Sequence, residues 1–458
     1  MTQQPTRREF LAASLATTAL DGGLGAGEEV VRNRKRPRVA AVFTELRFRS
    51  HAYNILENFF KPYYFRGKLV DPGCDVVSFY ADQFPENDMA REVSKRFKVP
   101  LFKSIRDAVC LGGKEFTVDA VLSIGEHGQY PYNKLGQHMY PRKRFFDEIT
   151  KPMLAAGKSA PIFNDKHLSW SWTEAKQMYD VCKKNGIPFA AGSSVPLAQR
   201  IPMVEIPAGA EFTEAVSIHG GGFESYDFHA LEVLQSFVAS RKGGETGVSE
   251  VELLHGDALK KALRSGRISQ PLVDAAMAAE KAAAKKRQRY PGRGRSGRPA
   301  KPRKPIPNLK RPRGPHAIVV TYKDGFRAAT LIVPSSADRW NFAFRLKGDK
   351  KPRATMLFNG PWGNRCLFKA LSHAIQHLFI TRKQPYPVER TLLATGILEA
   401  AVRSFATGKA IRTPHLEFAY RPIDFRALRE NGESWKKITI ETKQPTEFSP
   451  GDAQFGVR

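Results

Sequence analysis

Residues 160–200, APIFNDKHLSWSWTEAKQMYDVCKKNGIPFAAGSSVPLAQR, decide how this chain is read. Pro161, Ile162 and Phe163 form a short apolar run, ended by the polar cluster Asn164, Asp165, Lys166 and His167. A run of that kind predicts a buried strand. A helix follows. Ser171 stands as its N-cap with Glu174 three residues on, the pattern of a capping box. Ala175, Met178, Tyr179 and Cys182 then recur at helical spacing. Gly186 suits the left-handed residue that closes a helix. Pro188 to Ala191 is a second buried strand, stopping at Gly192. The unit is strand–helix–strand, with a charged cluster at the carboxyl end of its first strand. Ligands collect at that edge in open parallel sheets, which makes Lys166 the first candidate for function.

The same alternation runs back to residue 38. Strands are expected at 38–44, 75–80 and 118–124, and helices at 51–60, after Asp88, after Ser104 and at 144–156. Residues 61–73 read as an inserted loop with aromatics. Repeated β–α alternation predicts a doubly wound parallel sheet. Its strand ends bring Thr44, Asp82, Glu126 with His127, and Asp165 with Lys166 to one edge. After Pro196 the pattern changes. Residues 203–206 and 211–217 read as strands, 226–241 as an amphipathic helix carrying His229 and Glu232, and 247–260 as a strand leading into a helix. Further strands are expected at 317–322, 328–333, 340–346 and 353–358, with Asp324-Gly325 as a turn signal. Helices at 366–381 and 388–407 and a strand at 416–420 complete the pattern. Strands grouped with helices predict an α+β domain on an antiparallel sheet.

The 458 residues carry a formal net charge of +28. Half of it is local, because residues 281–313 hold 14 Lys or Arg and no Asp or Glu. That Pro/Gly/Arg-rich run reads as a linker or insertion. Adhesion to an anionic surface is its second reading, and no motif for specific nucleic-acid binding accompanies it. Cys74, Cys110, Cys182 and Cys366 form no CxxC pair, and their spacings give neither a disulfide framework nor a zinc site. Thr6-Arg7-Arg8-Glu9-Phe10-Leu11, followed by a mild apolar run to Leu20, resembles a twin-arginine export signal, which implies a periplasmic or exported protein. No stretch is long and apolar enough to span a membrane.

Taken together, DVVSFYAD, RFKVPLF, VDAVLSI and the opening stretch resemble the dinucleotide-binding domain of the Gfo/Idh/MocA (glucose-fructose/inositol dehydrogenase-like) oxidoreductases. HGGGFESYDFHALEVLQ is similar to that family's central catalytic helix, and PYPVERTLLATGILEAAVRSFATGKAI to its late helix. The resemblance implies a Rossmann domain over 38–195, then a C-terminal α+β domain with an open-faced antiparallel sheet over 196–280 and 315–425. Residues 1–30 are then a signal and linker, 281–314 the basic insertion and 426–458 a tail. It implies NAD or NADP as cofactor and a sugar or polyol-like substrate. Lys166 matches the family lysine that contacts nicotinamide and substrate, His229 the family histidine, and Asp82 the acid that binds ribose hydroxyls. Thr44, Glu126, His127 and Asp165 complete the cofactor-binding expectation. An exposed antiparallel sheet is commonly covered by a second copy, so a homo-oligomer through the C-terminal sheet is expected.

The sequence departs from the family at three points. His167 replaces the proline after the lysine. Ser225 stands four residues before His229 where the family has Asp. The first turn, Phe43-Thr44-Glu45-Leu46-Arg47-Phe48-Arg49-Ser50, has no glycine to let backbone amides approach a pyrophosphate. Arg47 or Arg49 could instead meet phosphates by side chain. Two function classes follow: an exported hydride-transferring oxidoreductase, including a redox-neutral form with bound NAD, and a catalytically inactive relative that binds carbohydrate or protein. A metal-dependent hydrolase built on the histidines and carboxylates is a third. Its tight spacing motif is missing, and no metal ligand is assigned.

Overall fold

Strand β1 (Arg38–Phe43) reads RVAAVF and is buried along all but its first residue, which is what a strand covered on both faces by helices requires. It lies inside a six-stranded sheet with β4 (Asp75–Ala81), β5 (Leu101–Phe102), β6 (Ala120–Ile124), β7 (Ile162–Asp165) and β8 (Phe189–Gly192). The order is β5-β4-β1-β6-β7-β8, and every pairing is parallel. The chain moves outward from β1 on one side and then returns to β6 on the other. The carboxyl ends of β1 and β6 therefore flank a topological switch point, where open α/β sheets bind ligands. The computed structural model describes residues 35–286, 311–312, 314–336 and 340–455. The twin-arginine-like segment and most of the basic run lie outside them.

Helices α1 (His51–Phe60), α2 (Ala90–Phe97), α3 (Ile105–Cys110), α4 (Arg142–Ala155) and α5 (Trp172–Lys184) connect these strands. Two apolar clusters fill the sheet's two sides. One holds Phe43, Leu56 and Phe79, and the other Val42, Phe145 and Met178. The segment expected as a loop at 61–73 instead contains a small hairpin, β2 (Tyr63–Phe65) paired with β3 (Lys68–Val70). The capping box expected at Ser171 does not form. The Glu174 carboxylate takes the Ser169 hydroxyl, and the Trp172 N–H donates to Glu399 from a distant helix.

The second sheet has eight strands: β9 (Gln199–Ile201), β10 (Phe212–His219), β11 (Val248–His255), β12 (His316–Tyr322), β13 (Arg327–Ile332), β14 (Trp340–Leu346), β15 (Arg353–Phe358) and β16 (Ile411–Arg412). It is antiparallel except where β10 runs parallel to β13. The strand expected at 203–206 falls instead at β9, because Pro202 has no N–H to continue a ladder. Residues 416–420 form no strand; the short β16 precedes them. Helix α6 (Ser225–Val238) and the late helix α10 (Val388–Thr407) pack on the face turned toward the parallel sheet. The other face, expected to be open, carries α7 (Gly256–Arg264) and α8 (Gln270–Lys286). Leu259, Leu272 and Ala276 cover Ile218, Val319 and Leu331 there, as burial of an apolar sheet face demands.

Helix α9 (Asn364–Thr381) belongs in space to the parallel sheet, since it packs along α1. Residues 444–455 wrap the same region rather than trailing away. Phe448 is fully buried among Tyr53, Phe60 and Phe97, and Asp452 pairs with the buried Lys369.

Candidate active site

Lys166 follows β7 directly and has φ 69°. A lysine in the left-handed region is strained, and such strain collects at functional sites. His127 after β6 (φ 73°) and Glu224 before α6 (φ 68°, ψ −66°) also have positive φ, as do five other non-glycine residues among those described. The Lys166 N–H donates to the Gly192 carbonyl at 3.2 Å, which ties the ends of β7 and β8 together. Gly192 itself has φ 129°, and a Cβ there would lie 2.7 Å from both Glu232 Oε2 and Thr391 Oγ1. Only glycine allows that closeness.

The Lys166 ammonium is buried. It donates to Ser225 Oγ at 2.9 Å and lies 3.5 Å from Glu126 Oε1. Ser225 opens α6, and its hydroxyl faces the lysine at the position where an acid was expected. Glu126 supplies the carboxylate from another strand. Its second oxygen accepts from Arg142 Nη2 at 2.5 Å, and Arg142 is fully buried. Burial alone would raise the Glu126 carboxyl, but Lys166 and then Arg142 hold it well below its usual range. It is a fixed anion that orients two cations.

His229 lies one turn into α6, with Nδ1 2.6 Å from Ser193 Oγ. Ser193 follows β8, and its hydroxyl also accepts from the Val195 N–H at 3.0 Å. Burial, and then the Lys166 charge, push the His229 imidazole well below its usual range, so it is neutral. Beneath it, the buried Glu232 accepts from Arg390 at 3.0 Å. Asp165 Oδ2 lies 2.6 Å from His51 Nδ1, and His51 opens α1. The His51 ring meets His127 edge-on at 5.1 Å. Burial, and then His51, depress the His127 imidazole, and its Nε2 is buried with no partner among the described residues.

Of the residues expected from the sequence, Lys166, His229, Glu126, His127 and Asp165 come together here. Thr44 joins them through its hydroxyl, which donates to the Glu126 carbonyl at 2.5 Å. Asp82 lies at the same sheet edge but carries three donors: the Tyr80 and Tyr130 hydroxyls and Arg144, each at 2.6 Å. Arg142, His51 and Ser193 were not anticipated. Arg142 had one signal, since a cation in the first turn of a helix opposes the helix dipole and so needs a compensating partner.

No protein-family model and no curated protein matches the chain by sequence. Solved structures do match in shape. The crystal structure of GenD2, from gentamicin A biosynthesis, in complex with NAD superposes with a TM-score of 0.52 at 11% identity, covering 83% of this chain and 97% of that one. The chain has the fold of the Gfo/Idh/MocA dehydrogenases. An oxidoreductase from Agrobacterium radiobacter in complex with NAD+, L-tartaric acid and magnesium gives 0.51 at 12% identity, with 82% and 98% coverage. Scyllo-inositol dehydrogenase from Lactobacillus casei, with NAD(H) and scyllo-inositol bound, gives 0.50 at 12%, with 82% and 99% coverage. Lys166 follows β7 of the parallel sheet, and His229 lies on α6, which packs on the second sheet.

Proposed function

We propose that this protein is an oxidoreductase acting at a hydroxyl-bearing carbon of a sugar or polyol-like substrate, with NAD or NADP as cofactor. The observation that carries the reading is the buried Lys166, fixed by Ser225 and Glu126 beside the neutral His229. Lys166 donates to the substrate hydroxyl oxygen and draws charge from it. His229 takes the hydroxyl proton on Nε2, in the tautomer whose Nδ1–H donates to Ser193. Enclosure of both groups strengthens each of these interactions. A nicotinamide bound here would supply the hydride acceptor.

The residues near Lys166 suit the nicotinamide end, where the partnerless His127 Nε2 offers a polar contact. The phosphate end differs from a glycine cradle. The Ser50 hydroxyl already accepts from the Arg47 and Tyr53 amides at the start of α1, and Glu45 holds Arg47. Phosphates there would be held by Arg47 and Arg49 side chains. A ribose would have to share Asp82 with its three donors, through the acceptor site left on Oδ2 beside Tyr130. These two features favour a second reading, a polyol-binding site without redox chemistry. Denaturing the purified protein and analysing the supernatant for nicotinamide nucleotide, alongside a titration with NAD(H), separates the two. Stoichiometric or saturable nucleotide supports the oxidoreductase. Neither release nor binding at millimolar NAD(H) sinks it and leaves the binding module.

The twin-arginine-like start supports export as part of the same proposal. A fusion of residues 1–37 to a reporter should reach the periplasm, and Arg7→Lys with Arg8→Lys should stop it.

A further inference from the structure

Behind α6, on the side away from Lys166, three buried side chains from three elements converge. His219 ends β10, Asp227 lies in the first turn of α6, and His316 opens β12. Their exposures are 0%, 0% and 1%. His219 Nε2 lies 3.0 Å, and His316 Nε2 2.8 Å, from the same oxygen, Asp227 Oδ1. The three ligand atoms all fall within 4.8 Å of one another. The other carboxylate oxygen accepts the Glu224 N–H at 2.8 Å, which turns Oδ1 toward both rings. Ligating carboxylates are commonly anchored in this way through their second oxygen. Tyr226 and Trp340 stack near His219, and Phe223 meets His316 edge-on, so the rings have little freedom to turn.

We propose that His219, Asp227 and His316 bind a divalent transition-metal ion of the zinc type. Two imidazoles and one carboxylate form a donor set that such ions prefer. Ligand bonds of about 2.0–2.2 Å place tetrahedral donors about 3.4 Å apart, so the two N···O separations need to open by about half an ångström, while the two histidine nitrogens, within 4.8 Å of each other, settle to the same spacing. Small side-chain rotations supply that. His219 Nδ1 has no partner among the described residues, so its proton can move there and free Nε2 without breaking another hydrogen bond. The ion takes the place of two N–H···O contacts and neutralises a buried carboxylate. It cross-links β10, α6 and β12, and so holds the start of the helix that presents Ser225 and His229.

The full chain is treated with chelator and then titrated with Co2+, whose visible absorption reports nitrogen and oxygen ligation. In parallel, protein purified from zinc-supplemented culture is assayed for metal content. One equivalent per chain is expected in both, with a rise in Tm on metal addition. His316→Ala and Asp227→Asn should abolish the Co2+ band, and His316→Gln serves if the alanine variant does not fold. No band with wild-type protein overturns the proposal. So does a band of equal intensity in the variants, which would place the ion elsewhere. Because the readout is metal binding rather than turnover, it stands or falls apart from the oxidoreductase reading.

Discussion

At the scale of single residues, Lys166 shows how a missing acid is replaced. The serine four residues before His229 carries an un-ionised hydroxyl rather than a carboxylate, but it can still accept a hydrogen bond from the lysine. The negative charge comes from Glu126, which follows the preceding strand β6 and is adjacent in space. Glu126→Gln should therefore cost more than a surface charge would. It leaves Lys166 and Arg142 buried without an anion, and removing one partner of such a group costs about 3–5 kcal/mol. Chemical denaturation measures it. Lys166→Ala should lower kcat/KM by about a hundredfold or more while leaving the fold intact, since positioned acid–base groups contribute on that scale. Glu57 on α1 gives a pH signature. Burial raises its carboxyl to about 7 despite Arg365, the Ser449 amide and Lys369, with Asp452 opposing them. The folded protein thus binds more protons than the unfolded chain between about pH 4.5 and 7. Stability should fall as pH rises through that window, and Glu57→Gln should flatten the slope. Lys166, His229 and Glu126 were legible because chemistry-bearing residues stood just after apolar runs or inside a recognisable helix. Arg142, His51 and Ser193 were not, because each acts through a partner far away in sequence.

At the scale of elements, hydrophobic period located most strands and helices, including α1 and α10 to the residue, but it missed β2, β3, β9, β16 and the helix α8. It failed where a local signal met a tertiary competitor. Glu174 had the spacing of a cap, yet Ser169 and Glu399 took over its role. The 203–206 run was apolar enough for a strand, but Pro202 had already ended the ladder. Gly396 is a further case. Glycine inside a helix is unfavourable by about 1 kcal/mol relative to alanine, yet it sits in the middle of α10. A Cβ there would lie 2.3 Å from Leu416 Cδ2 and 2.8 Å from the Trp172 ring. Gly396→Ala should therefore destabilise by about 1–3 kcal/mol, as overpacked cores do, against the direction that helix propensity predicts. Thermal unfolding decides the sign.

At the scale of the molecule, the sequence alternation was enough for a doubly wound parallel sheet followed by a mostly antiparallel one, but not for the order of their strands. What covers the second sheet was not legible. Helix α8 runs directly into the basic segment, and composition alone set that stretch apart from the fold. Since α7 and α8 occupy the outer face, a homo-oligomer built on that side would meet these two helices rather than a bare sheet. Light scattering of the purified protein gives the oligomeric state, and if it is a dimer through this face, substitutions at exposed positions of α7 and α8 should weaken it.

The wrapping of residues 444–455 around α1 has a consequence for biosynthesis. Domains generally fold in the order in which they leave the ribosome. Here the first-made sheet has its strands complete by residue 192, but Tyr53 and Glu57 wait for partners 394 and 392 residues further along the chain, and the buried Lys369 on the neighbouring α9 waits for Asp452. Until Phe448 and Asp452 emerge, that sheet remains an unsealed intermediate with an apolar flank. Nascent chains stalled before residue 444 should be cut by protease near α1, and chains stalled long enough to expose residue 455 should resist it.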